Sequence, residues 1–495
     1  MLVLEIRSFL VSARLFRYRT LAATLTDELR SGVHPQGARL PSVRSLCVDY
    51  AASLATVTRA LHELEDAGLI ESRPRQGFYA CVSPRPAEAT PSAAAIALAG
   101  RRKRLIELAT KQIDCLSLGH LALPETLLPL RALARVAASR LRADAAVLGS
   151  ASVYGSPALR HQLKGRAERF GCAADVEDVI VTQGETEALE LCLRQLTRPG
   201  DLVAVPSPTS FRTLELIASL GLGVLEMPAS PGSGLSVQTL EFALQNHDVA
   251  VCILEPNFDV ATGSLMGDEA KQQLAELLAR HRLPLIECDM MGDLYRGPQR
   301  PRPLKAFDSD DRVLYCGGFS CVTGPGFNVG FVISGRHRLQ LRAARAVHGE
   351  FVSGLTDQVL THFLVSGGLD AHLRTLRRQL SRQVTAYRAA VASNFPHGTR
   401  IESGEGGYQL WVELPEGLDA CALLEKSRQD GYTFVPGAVF STGNRFDHCL
   451  RLTAAHPMDD RHVEGIRTLA SIADQLLSIR ASNSGMSRAR TATVA

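Results

Sequence analysis

DVIVTQGETEALELCLRQL, Asp178 to Leu196, places Val179 to Thr182 in one unbroken run, turns at Gly184, and continues as a helix-forming stretch. A short apolar run that ends on a turn signal and passes into helical periodicity reads as one βα unit. The pattern returns downstream in DLVAVPSP then FRTLELIASL, in VAVCILEP then AKQQLAELLARH, and in LPLIECD. Short buried strands that alternate with helices imply a mostly parallel central sheet. The chain from about 111 to 480 is therefore expected to form an α/β domain.

The rest of the 495 residues bounds the alternatives. Such a length calls for two or three domains. A hydrophobic content of 45% fills a large core, and a formal charge of +3 advertises no global affinity for nucleic acid or membranes. Eleven scattered cysteines without a CxxC pair suit a reduced, cytoplasmic chain with buried thiols and no metal site. No apolar run spans a bilayer, and the opening MLVLEIRSFLVSAR, broken by Glu5 and Arg7, makes a poor signal peptide. Composition divides the chain into a compact segment over 15–82, a Pro/Ala/Ser-rich linker over 83–110 that packs poorly, the α/β domain over 111–480, and a flexible polar tail over 481–495.

In the first segment Leu21, Leu25 and Leu29 recur every four residues on an amphipathic helix. Ser42 is a good N-cap for a helix to about Asp49, and Ser53 for another to Ala67, stopped by Gly68. In the latter, Leu54, Val57, Leu61 and Leu64 share one face, while Arg59 and His62 point away and Thr56 and Thr58 flank them. A small, hydroxylic and basic face suits a helix entering the major groove. GLIESR and GFYACV then read as two short strands around a basic wing.

PQGARLPSVRSL and TVTRALHELEDAGLI resemble the GntR-type winged helix-turn-helix, an all-α domain with a small wing. The resemblance implies that Arg39, Ser42, Arg44, Ser53, Thr56, Thr58, Arg59, Arg75 and Gly77 contact double-stranded DNA. Leu54 and Ala55 depart from the polar or basic residues usual there, which implies an altered base preference.

The order of signals across the α/β domain resembles a fold-type I, pyridoxal-phosphate-dependent aminotransferase (the PLP transferase fold). VYGSPALRHQL resembles its tyrosine-bearing loop, VTQGETEAL its phosphate turn, EPNFDVATG its Asn-Pro-Thr-Gly region and PLIECDMMGDL its pyridine-aspartate strand. GGFSCVTGPGFNVGF resembles the Ser-Lys…Pro-Gly-x-Arg loop, and GGYQLWVEL, FVPGAVFS and HCLRLTAAH the small C-terminal domain. A GntR-type reader fused to such a domain is the architecture of MocR-type bacterial regulators.

The resemblance places the pocket on Tyr154, Gly184, Glu185, Thr186, Ser210, Asp289, Met290, Cys321, Asn328 and Arg451. Cys321 takes the position of the lysine whose amine forms the Schiff base, 32 residues after Asp289. Lys305, sixteen residues before Cys321, lies in a loop and is not expected to reach the same point. The phosphate serine is Gly318, the phosphate arginine Asn328, the ring-hydroxyl tyrosine Met290, the stacking aromatic Ser210 (with Phe211 next to it) and the asparagine Val260. Glu185 adds a negative charge beside the phosphate turn. Asp289, Tyr154, Gly184, Thr262, Gly263 and Arg451 are retained, the last matching the arginine that clamps a substrate carboxylate.

Each charge-assisted hydrogen bond to a phosphate contributes on the order of 1.5–3 kcal/mol. Together these changes imply no Schiff base, no transaminase activity and at best weak cofactor binding. Cys321 reads as a small neutral filler, since a reactive thiolate needs a nearby cation. The expected protein is a DNA-binding regulator, dimerised head to tail, that senses a small effector, a carboxylate on the strength of Arg451. Two alternatives use the same residues: pyridoxal phosphate held non-covalently by Asp289, Tyr154 and the Gly184 turn, and an active aminotransferase with an amine from elsewhere.

Overall fold

The structure, a computed structural model, describes residues 21–22, 24–26, 28–29, 34, 37–50, 52–66, 69–73, 77–81, 93–110, 115–348, 351–402 and 404–492. Gly68 and Arg75 lie outside the described residues. The chain divides into two compact units, Met1–Ile96 and Ala97–Ala495.

In the first unit the four-residue leucine spacing does what it predicts: Leu21, Leu25 and Leu29 are buried with Leu46, Val57, Leu61 and Leu64. Ser42 caps the helix Val43–Asp49, its hydroxyl accepting from the Ser45 amide at 3.2 Å. The helix Leu54–Asp66 follows, then an antiparallel hairpin, Ile70–Arg73 against Gly77–Ala80. Leu54 corrects the expectation that it joins the buried stripe. It is 62% exposed, and Ala60 takes the inward place. Leu54 is the first residue of the helix, and the buried face of its turn is taken by Val57.

The second unit carries an eight-stranded sheet in the order 179–182, 330–333, 313–318, 285–289, 249–254, 202–207, 223–230, 234–235. The strands from 313–318 across to 223–230 are parallel, and 330–333 and 234–235 run antiparallel to their neighbours. Successive strand residues point to opposite faces. Ile286, Cys288, Leu314 and Cys316 therefore pack under the helix Glu185–Leu196, while Leu285 and Val313 pack with the helix Asp268–His281. Beyond the helix Gly368–Asn394, a four-stranded antiparallel sheet (400–402, 409–413, 449–453, 435–436) and the helix Ala420–Gln429 form the small C-terminal region.

Two boundaries differ from expectation. The linker read over 83–110 holds the helix Ala93–Thr110, whose Leu105 is buried beside Trp411, Val439 and Phe440. Arg102 pairs with Glu215 at 2.9 Å and Arg101 with Asp447 at 3.0 Å. Alanine, leucine and arginine are strong helix formers, so this stretch folds and docks once past its prolines. Of the flexible tail read over 481–495, residues 481–492 continue the helix Asp460–Ala492, with no proline to interrupt it, and 493–495 lie outside the described residues. Among the described residues no helix is long and apolar enough to cross a membrane.

Candidate functional site

The reader face assembles around the second helix. Ser53 Oγ accepts from the Thr56 amide at 3.3 Å and shares a 2.8 Å hydrogen bond with Thr56 Oγ1, so both hydroxyls sit at the helix start. Arg59 and His62 are exposed on the outward face, Thr58 is half-buried, and Arg44 is exposed on the preceding helix. The backbone of Arg39 bridges Tyr79 in the hairpin. Gly77 has φ +102°, and a Cβ there would meet Arg39 Nε at 3.4 Å, so the glycine lets the guanidinium lie over the base of the wing. Arg39 and Gly77 are thus brought together at the base of the hairpin.

In the second unit the site forms at the carboxyl ends of the parallel strands. Gly184, with φ +86°, opens the helix Glu185–Leu196 without a side-chain cap, and a Cβ there would strike Asn328. Asn328 donates to the Gln183 carbonyl at 3.3 Å, so it folds over the turn. Thr186 is exposed. Glu185 turns inward. It is 8% exposed, its Oε2 lies 3.7 Å from where a Gly318 Cβ would stand, and that oxygen has no hydrogen-bond partner among the described residues. Burial, reinforced by the charges of Glu255 and Asp289, raises the Glu185 carboxyl far above the usual range.

Glu255 follows the strand Val249–Leu254 and accepts from the Val260 amide at 2.9 Å. Burial and the nearby Asp259 push it up to about 8. Cys321 is half-buried, and burial together with Glu185 pushes its thiol up to about 12, so it is a neutral thiol.

Arg451, 3% exposed, donates to the carbonyls of Val260 at 2.9 Å and Gly119 at 3.0 Å, while its Nε–H has no partner among the described residues. Burial lowers its guanidinium to about 10, which leaves it charged at neutral pH. Arg212, exposed, adds a second positive charge felt by Glu185, Cys321 and Arg451.

Asp289 requires a correction. The resemblance has it facing a cofactor ring, but its oxygens are engaged on the opposite face of the strand. Oδ2 pairs with Arg300 at 2.6 Å and accepts from Tyr315 at 2.9 Å, and Oδ1 accepts from the Gly292 amide at 3.1 Å. Arg300 also pairs with Asp293 at 3.0 Å, Asp293 with Arg166 at 2.7 Å, and Arg166 with Asp370 at 2.9 Å. A small pocket, with room for about 20 Å³, adjoins this network, walled by Phe170, Phe319 and Phe331. Strand parity explains the difference: Cys288, one residue earlier, faces Glu185, and burial with Glu185's field raises its thiol strongly.

Other expected members are dispersed. Tyr154 lies under Arg342, with its ring 4.0 Å from the guanidinium and its hydroxyl donating to the Arg342 carbonyl at 3.3 Å. Ser210 precedes the helix Phe211–Ser219 without capping it, and Phe211 packs edge-on against Phe440 at 6.1 Å rather than over the pocket. Met290 is half-buried against the main core. The Thr262 hydroxyl donates to Asp259, which also takes the Ala261 and Ser264 amides at 2.9 Å, and Gly263 has φ +81°. That loop is shaped by Asp259, not by Val260.

Two lysines of the unit are engaged elsewhere. Lys305 pairs with Asp308 and Asp311. Lys271, fully buried, donates to Asn257 Oδ1 and the Arg302 carbonyl, both at 2.7 Å, and burial lowers its ammonium. Among the described residues no group of His, Cys, Asp and Glu is arranged to hold a metal. Sequence reasoning missed Glu255, Arg212, Arg300 and Cys288. Parity along LPLIECD puts Cys288 and Asp289 on opposite faces, but does not say which face meets the helix.

Residues 17–80 match the gntR family of bacterial regulatory proteins. YjiR, an uncharacterised HTH-type transcriptional regulator of Escherichia coli K12, is 30% identical over 462 residues, covering 92% of this chain and 98% of its own. YdcR, another from that organism, is 31% identical over 471 residues, covering 93% of this chain and all of its own. The solved structure of LysN, the α-aminoadipate aminotransferase of Thermus thermophilus complexed with N-(5'-phosphopyridoxyl)-L-leucine, is 28% identical and superposes with a TM-score of 0.69 over 77% of this chain and 98% of that one. A GntR reader followed by an aminotransferase fold, matched end to end by two regulators, means that this chain belongs to the MocR-type family of DNA-binding transcriptional regulators.

Proposed function

We propose that the second unit is a dimerising sensor for a small carboxylate and carries out no transamination. The observation that carries this reading is the buried Glu185 Oε2, without a hydrogen-bond partner among the described residues, beside Gly318 at the helix N-terminus where the related enzymes are expected to hold the cofactor phosphate. Pyridoxal phosphate does not fit these residues. A carboxyl group occupies the approach to the turn, Cys321 brings a thiol in place of an amine, and Asp289 is spoken for by Arg300 and Tyr315. Arg451 supports the carboxylate: its charge is buried, its hydrogen bonds among the described residues go to carbonyls, and its buried Nε–H has no partner there.

One winged helix reads a short half-site, so a dimer supplies useful affinity for DNA. The head-to-tail arrangement of such family members suits this chain, with effector binding altering how two readers meet an operator. In this scheme Arg39, Ser42, Arg44, Ser53, Thr56, Thr58, Arg59 and Gly77 position the reader on DNA.

The direct test is a thermal-melting panel of amino and keto acids with the full chain, together with pyridoxal phosphate followed by visible absorption. A melting temperature raised by a carboxylate, with no visible Schiff-base band, is expected. A yellow protein whose colour borohydride fixes onto a lysine would sink the reading. DNA binding is expected to fall steeply with salt, and Arg59→Ala to lower that slope by about one unit.

A further inference from the structure

We propose that the wall formed by Glu185 and Glu255 captures an ammonium group, so that the effector is a zwitterionic amino acid whose carboxylate rests on Arg451. This rests on the carboxylate-sensing reading above and adds the second charge that the ligand must carry.

Glu255 follows the strand Val249–Leu254 with the parity of Val251 and Ile253, and so shares the sheet face that lies under the helix Glu185–Leu196. Glu185 reaches that same face beside Gly318. The strand that carries Cys288 runs between the strands ending at Glu255 and Gly318. Both carboxyl groups therefore belong to one side of the sheet, close enough that each raises or feels the other's charge, and Glu185 Oε2 has no partner among the described residues. Leaving such a group buried and unpaired costs about 1–3 kcal/mol. Buried polar atoms are otherwise almost always satisfied, so an orphan oxygen on this wall marks a place for a donor.

The charged groups whose fields reach Glu185 are Glu255 and Arg212, with Asp289 acting from the far side of its strand, and Glu185's own field reaches the thiols of Cys288 and Cys321. Acids prevail around it, and both carboxyls take up protons before a ligand arrives. A ligand cation reverses this balance, because it attracts the ionised carboxylate that burial alone disfavours. Arg451 stands as the anion partner. Guanidinium has five N–H donors, and two of them are engaged by the Val260 and Gly119 carbonyls. Acids on one wall and an arginine on another complement the two ends of an amino acid and reject a plain dicarboxylate. Binding moves one proton: the Glu185 carboxylic acid releases H⁺ to water as the carboxylate pairs with the R–NH₃⁺ of the ligand, and no covalent bond forms.

The test is isothermal titration of the full-length protein with three matched pairs: alanine and pyruvate, glutamate and 2-oxoglutarate, leucine and 4-methyl-2-oxopentanoate. Titrations run at pH 6, 7 and 8, in two buffers of different ionisation enthalpy. At least one amino acid is expected to bind tenfold or more tightly than its keto partner. Its affinity should rise from pH 6 to pH 8, and its heat should depend on the buffer as proton release requires. Glu185→Gln, which keeps the shape of the protonated acid, should abolish the preference, the pH dependence and the buffer dependence together, with its folding checked by circular dichroism.

Keto acids that bind as well as amino acids, or a Glu185→Gln protein that keeps the preference, would overturn this inference and leave the carboxylate sensor standing. Absence of binding by all six at about tenfold molar excess over a millimolar protein solution would overturn both.

Discussion

The cluster around Asp289 and the pocket around Glu185 bury carboxyl groups on opposite faces of the same strand ends, and they satisfy them in opposite ways. In the first, every acid meets an arginine: Asp289 with Arg300, Asp293 with Arg300 and Arg166, Asp370 with Arg166. Burial alone would raise Asp293, yet the two arginines outweigh it and hold its carboxyl at about 2. In the second, Glu185 and Glu255 have no such partners among the described residues, and burial raises both. A closed ion-pair network is a structural device whose charges are already spent. A wall of acids without a cationic partner among the described residues is a place that still has something to bind.

Breaking the closed side should have the largest effect. Arg300→Ala strips Asp289 and half of Asp293's partners at once, and removing one partner of a buried pair costs about 3–5 kcal/mol. Urea denaturation should show that loss, and a protein of unchanged stability would mean the network is not closed. Next comes pH. Glu255 holds its proton in the folded state up to about 8, well above its unfolded value, so its contribution is complete at acid pH and is lost as pH rises through about 8. Stability should therefore fall between pH 6 and pH 8, by at most about 1.4 kcal/mol per pH unit from this group, and Glu255→Gln should flatten the decline. Asp293 works in the other direction: its contribution holds at neutral pH and vanishes only as pH falls through about 2.

A smaller change separates binding from stability. Glu185→Met replaces an unsatisfied buried acid with an apolar side chain, and should raise stability by about 1 kcal/mol while it removes any amino-acid response. A destabilised Glu185→Met protein would mean that the carboxyl has a structural partner. The smallest effect is expected in the reader, where Leu54→Ala should change stability by less than about 0.5 kcal/mol, because an exposed side chain gives up no core contact. Any altered operator preference in that variant, measured by competition among DNA sequences, would then belong to Leu54's reading of bases.

Local periodicity determined much of this protein. The leucine spacing of the first helix, the serine caps at Ser42 and Ser53, the hairpin, and the alternation of apolar runs with helices all follow from neighbours a few residues apart. The glycine at 184 was legible for the same reason, since a strand-to-helix turn with positive φ asks for it. Helical propensity should likewise have shown that Ala93–Thr110 was no loose linker, but its proline-rich approach masked the signal.

Only the tertiary structure decided which side of a strand mattered. Cys288 and Asp289 are adjacent in sequence, and nothing local tells which of them faces the helix Glu185–Leu196. That depends on where a helix formed about a hundred residues earlier comes to rest on the sheet. The partners that spend Asp289's charge, Arg300 and Tyr315, and the absence of one for Glu185 Oε2 among the described residues are likewise long-range facts. The sequence by itself determined the elements and the residue types available. Packing determined which carboxyl was paired and which was left to bind, because charge neutralisation in a buried site depends on distance in space rather than on order along the chain.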